Sequence, residues 1–112
     1  MILIGRLIAV VFLFVASSCG GTLRPPVADA DAELNYCMQL SAKKKYEEAV
    51  ECLEIYKSRH RADNRVADAD LLIADSYFRR KEYLLAAETY KQFLENYPMH
   101  PKADYAYYKT GL

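Results

Sequence analysis

Three kinds of residue in this chain could carry chemistry: cysteines, histidines and carboxylates. Of the 3 cysteines, Cys19 directly follows an apolar run that ends in small residues, while Cys37 and Cys52 lie within helical patterns. A thiol can be acylated, oxidised to a disulfide or deprotonated as a metal ligand. No Cys/His pair has metal-ligand spacing, and no glycine-rich phosphate loop is present. His60 and His100 stand alone at the ends of helical patterns and read as surface residues there. Asp68, Asp70 and Asp75 share helix faces, but without a pocket signal they read as solvated or groove-lining. The expectation is a chain with no enzymatic activity, no cofactor and no metal, which acts by contact.

The totals agree with that. Lys plus Arg is 15 and Asp plus Glu is 15, so no charge excess points to nucleic acid or to an anionic surface. At 112 residues the chain holds at most one small domain. Tyrosine is frequent, 10 residues against no tryptophan, and offers large packing area with a polar tip. Lys43-Lys44-Lys45 reads as a solvated turn, with contact to a membrane surface as the weaker alternative.

The N-terminus reads as an export signal over residues 1–18. A basic Arg6 precedes the apolar run Leu7 to Ala16, which is shorter than the roughly 20 apolar residues that span a bilayer. Ala16-Ser17-Ser18-Cys19 resembles the bacterial lipobox, in which the cysteine becomes the lipidated first residue. Ala16 departs from the leucine favoured at that position. Gly20 follows, where aspartate would resemble an inner-membrane retention signal, so the resemblance implies transfer to the outer membrane. Residues 19–29 read as a flexible tether, small and proline-containing.

Beyond it, the residues that could form a binding surface need helices to position them. Tyr83, Ala86, Ala87, Tyr90, Phe93, Leu94 and Tyr97 make one apolar stripe at helical spacing, stopped by Pro98. Tyr46, Ala49, Val50, Leu53 and Tyr56 repeat it 37 residues earlier, from Tyr46 to Tyr83. At the same offset Ala30–Cys37 falls on Ala67–Ala74 and then on Asp104–Gly111. Five helices are predicted, near 30–43, 46–60, 65–80, 82–97 and 101–112. Asp29, Asp31 and Glu33 put acid at the start of the first, and Asp63-Asn64 offers a cap for the third. Pro101 suits the first turn of the fifth.

The pattern Tyr-x-x-Ala-x-x-x-Tyr-x-x-Phe-Leu, ending in Pro, resembles the second helix of a tetratricopeptide repeat. The implied fold is an all-α solenoid of helical hairpins over residues 30–112, about two and a half repeats, incomplete at its C-terminus. The period exceeds the usual repeat of about 34, with the extra residues at 61–66 and 99–103. Cys37, Ala74 and Gly111 occupy the small position where paired helices pack closely. Such repeats become stable by stacking, about three at a time, so more chain is expected after Leu112. First helices line the concave groove of such a stack, which gives Asp68, Leu71, Asp75 and Phe78 from the second repeat. Leu34, Met38 and Ser41 come from the first, and Tyr105 and Tyr108 from the third. Tyr105 and Tyr108 either line this groove or pack against a following helix. An aromatic groove with a few charges suits an extended peptide. Cys37 and Cys52 fall on neighbouring helices; two free buried thiols are the expectation and a disulfide the alternative.

Two segments narrow the choice of repeat protein. They are Tyr97-Pro98-x-His100-Pro101 followed by Asp104-Tyr105-Ala106-Tyr107-Tyr108-x-x-Gly111-Leu112, and the first helix Ala67-Asp68…Ala74-Asp75-Ser76-Tyr77-Phe78. Over residues 16–112 the chain resembles the BamD family of lipoproteins of the outer-membrane β-barrel assembly machinery. The resemblance implies a periplasm-facing scaffold of about five repeats, lipidated at Cys19 and held at the outer membrane. Its N-terminal repeats would receive segments of unfolded outer-membrane proteins, and its C-terminal ones would hold other assembly subunits. A different periplasmic repeat lipoprotein, serving pilus assembly or envelope division, is the alternative.

Overall fold

The computed structural model describes residues 29–111. The expected signal, Cys19 and nearly all of the tether lie outside them. The described residues are all-helical: α1 (Ala30–Ala42), α2 (Tyr46–Arg59), α3 (Val66–Arg79), α4 (Tyr83–Asn96) and α5 (Ala103–Thr110). Each helix packs on the one before it, giving two hairpins, α1–α2 and α3–α4, and the first helix of a third.

The ends of these helices show why they stop where they do. Asp29 caps α1, its side chain accepting from the Ala32 N–H at 2.6 Å. After α1 the chain turns through Lys44 in the left-handed region, φ 62°, and after α3 through Lys81, φ 63°. Lys45 N–H donates to the Leu40 carbonyl and Lys44 N–H to that of Ser41, while Glu82 and Lys81 repeat the pair onto Tyr77 and Phe78. These are two Schellman closures 37 residues apart.

The inter-repeat turns match in the same way. His60, Asp63 and Val66 donate to the carbonyls of Tyr56, His60 and Asp63; Tyr97, His100 and Ala103 donate to those of Phe93, Tyr97 and His100. In the first turn the Asp63 carboxylate accepts from Arg65 N–H at 2.9 Å. In the second the His100 ring Nδ1 accepts from Lys102 N–H at 3.0 Å. The period seen in the side chains is therefore a period in the backbone bonds. Pro101 lies inside the second turn and not in a helix, so α5 starts two residues later than its proline suggests.

The core has two parts that share α3. Leu34, Cys37, Leu40, Cys52, Leu53 and Tyr56 pack with Ala69 and Ile73 of α3. Leu71 and Ala74 of α3 pack with Tyr90, Phe93 and Leu94 of α4 and with Ala103 and Ala106 of α5. Cys37 and Ala74 have no exposed surface, as the close-packing position requires. Gly111, expected to be their counterpart, is instead the exposed cap of α5.

The thiols are not free. Cys37 and Cys52 form a disulfide joining α1 to α2, with Cα atoms 5.4 Å apart. The small Cys37 side chain lets the helices approach, and Cys52, one turn beyond the buried Ala49, points back into the same contact. That brings both within the span a disulfide needs.

Candidate functional site

The odd-numbered helices α1, α3 and α5 carry the candidate groove, and its polar centre is Asp75 on α3. The Asp75 carboxylate accepts from the Tyr105 hydroxyl of α5 at 2.8 Å and, through the same oxygen, from the Tyr90 hydroxyl of α4. Tyr90 is fully buried; burial, reinforced by the Asp75 charge, pushes its hydroxyl far above the usual range. Burial and the same carboxylate raise Tyr105. The two rings meet edge to face with centroids 6.2 Å apart.

Next to this centre, Lys109 Nζ stands 3.7 Å above the Phe78 ring and 5.6 Å from that of Tyr105. Phe78 also meets Tyr83 edge to face. A cation held over a ring keeps its charge at the surface while its stem covers apolar area. On the other side of Asp75, a cleft of about 260 Å³ runs between α1 and α3. Met38, Ser41 and Tyr46 form one wall, and Leu72, Asp75 and Arg79 the other. The surface therefore combines apolar, aromatic, anionic and cationic groups.

The structure brings together Met38, Asp75, Phe78 and Tyr105 from the sequence-based set. Tyr108 is exposed on the same short helix. Leu34 and Leu71 are corrected: at 6% and 3% exposure they belong to the two core clusters and cannot line a groove. Leu34 packs into the cluster that α1 shares with α2, and Leu71 into the one that α3 shares with α4 and α5. Asp68 lies at the other end of α3, where its carboxylate is 3.2 Å from His100 Nε2.

That contact also corrects the reading of the histidines. His60 Nε2 is 2.8 Å from the Glu33 carboxylate, which Arg59 also meets at 3.2 Å, and Glu33 is buried. His100 packs edge to face on Phe93. Both rings therefore tie an inter-repeat turn to the start of an odd-numbered helix. Arg65 does likewise, bonded to Asp63 and to Asp31 of α1; Asp31 and Asp68 are one repeat apart. Asp63, bonded by Arg65, is held well below the usual carboxylate range.

Sequence reasoning missed Tyr90 and Lys109 as parts of this surface. Tyr90 stands where the first repeat has Leu53, and Asp75 where it has Met38. A buried tyrosine replacing leucine needs an acceptor for its hydroxyl, and the paired change supplies one.

Residues 34–112 match the YfiO family, described as outer membrane lipoprotein. No curated protein matches the chain. The match extends over well more than half of the sequence, and the chain belongs to the YfiO family of outer membrane lipoproteins.

Proposed function

We propose that this member of an outer membrane lipoprotein family is a non-enzymatic scaffold of the BamD kind, serving the assembly of outer-membrane β-barrel proteins. In this reading residues 1–18 are removed, Cys19 carries the lipid, and residues 19–29 tether the repeats on the periplasmic side of the outer membrane. The repeats take partner subunits and extended segments of unfolded outer-membrane proteins. The observation that carries it is the surface around Asp75. Met38, Phe78, Tyr105 and Tyr108 offer apolar and aromatic area to side chains, and Lys109 and Arg79 offer charge. A groove of that composition takes up an extended chain by its alternate side chains.

The test is affinity purification of the complete, C-terminally tagged protein from membranes. The barrel-forming assembly subunit is expected in the eluate, and Cys19→Ala is expected to move the tagged protein to the soluble fraction. An eluate that contains pilus or division components and no barrel-forming subunit assigns the chain to the other class of repeat lipoprotein.

A further inference from the structure

The α1–α2 and α3–α4 turns lie on one edge of the stack, because successive helices run antiparallel and each packs on the last. That edge is basic. Lys43, Lys44 and Lys45 form the first turn; Arg80 and Lys81 stand in the second, next to Arg79 at the end of α3. One cleft of about 440 Å³ is lined by Lys44, Lys45 and Arg80 together with Glu47, Glu48 and Glu51. The neighbouring cleft of about 260 Å³ holds Lys44 and Arg79, so the two turns make one continuous surface. Arg80 meets Glu82 at 3.4 Å; among the described residues, Lys43, Lys44, Lys45 and Lys81 make no ion pair.

The backbone sharpens the point. Lys44 and Lys81 sit at φ 62° and 63°, a conformation in which glycine meets no steric cost and is the usual helix terminator. Folding alone does not reward lysine there, and both turns carry it. Beside Lys81 the surface becomes apolar: Leu84 is 90% exposed, at the position where the first repeat has Glu47.

We propose that this edge docks an acidic, amphipathic segment of a protein partner, with carboxylates on the turn lysines and an apolar side chain on Leu84. The scaffold reading enters only through orientation. If the chain is tethered ahead of α1, the 13 residues of that helix carry the basic edge about 20 Å from the tethered end. Glu47, Glu48, Glu51 and Glu82 are interspersed with the cations. Mixed charge of this kind selects a segment with matching charges and suits a uniformly anionic lipid surface poorly.

The probe is a fluorescein-labelled peptide of leucine, glutamate in excess and a few lysines, patterned as one net-acidic amphipathic helix and titrated by anisotropy against the full chain. A counterpart with lysine for glutamate is the control. The double substitution Lys44→Gly and Lys81→Gly removes the charge where the backbone prefers glycine, so its melting temperature is expected to be equal or higher. Its Kd for the acidic peptide is expected to rise about tenfold at low salt. Equal binding by the two proteins, or equal affinity for both peptides, overturns the proposal. So does binding to phosphatidylglycerol-containing vesicles that the double substitution abolishes, which assigns the edge to lipid. The pull-down above uses a different probe, so failure of the scaffold reading and failure of this docking edge are separately visible.

Discussion

The first and second hairpins share their turn geometry bond for bond, yet different chemistry closes them. In α1–α2 a disulfide between Cys37 and Cys52 joins the helices. The corresponding positions in α3–α4 are Ala74 and Thr89, and Thr89 donates to the Leu85 carbonyl of its own helix. There the inter-helix link is the bond from Tyr90 to Asp75, which extends to Tyr105 of the next repeat. The first hairpin has neighbours on one side among the described residues, and it is stapled to itself. The second is flanked on both sides, and its polar link reaches onward. A repeat with fewer neighbours to bury against gains most from a covalent closure.

The largest test of this contrast is removal of the staple. Cys37→Ala with Cys52→Ala is expected to destabilise the chain by about 3 kcal/mol, the chain-entropy contribution for a loop of this length. Hydrogen exchange should locate the loss in α1 and α2, with α4 keeping its protection. Uniform loss across all helices, or no loss, would break the contrast. Next in size is Asp75→Ala, which leaves the buried Tyr90 hydroxyl without its acceptor and should cost about 1–3 kcal/mol. Tyr90→Phe removes the donor instead and should cost about 1 kcal/mol. In a double-mutant cycle on thermal unfolding the two losses should be strongly non-additive; simple additivity would mean that the bond contributes nothing.

The smallest effect is on pH dependence. Tyr90 and Tyr105 in the second link have raised hydroxyl pKa values, by burial first and Asp75 second. Tyr56 in the first hairpin is raised to about 12, by burial and then by Asp63. Because the folded state holds these protons more tightly than the unfolded one, their contribution is complete below the unfolded value of 10.0. It is lost as pH rises through the folded values. Melting temperature should therefore fall as pH rises above about 10, and Tyr90→Phe should flatten that fall. An unchanged alkaline profile in that variant would remove Tyr90 from the account.

Much of the fold was legible beforehand because it is periodic. Helix spans, the 37-residue offset and the small residues at Cys37 and Ala74 follow from local pattern, and five helices appear where they are expected. What was not legible depends on contacts between elements. Leu34 and Leu71 stand at groove positions by the register of the repeat, but the helices packed beside them bury both. His60 and His100 looked like free helix ends, since nothing nearby in sequence shows that the turns bring them over Glu33 and Asp68. The disulfide depended on the inter-helix distance, which the spacing of Cys37 and Cys52 left open. The Tyr90–Asp75 bond left a trace only in what changes between repeats, Leu53 to Tyr90 and Met38 to Asp75.

The sharing of α3 between both core clusters has a consequence for how the molecule responds to a bound partner. A stack in which each unit contacts only its neighbours behaves as a one-dimensional array, with stability passed along by nearest-neighbour coupling. Ala69 and Ile73 face one cluster while Leu71 and Ala74 face the other, so any ligand that orders α3 stabilises two units at once. A peptide held at Asp75 would act at that node and lengthen the stretch of chain that opens and closes as one.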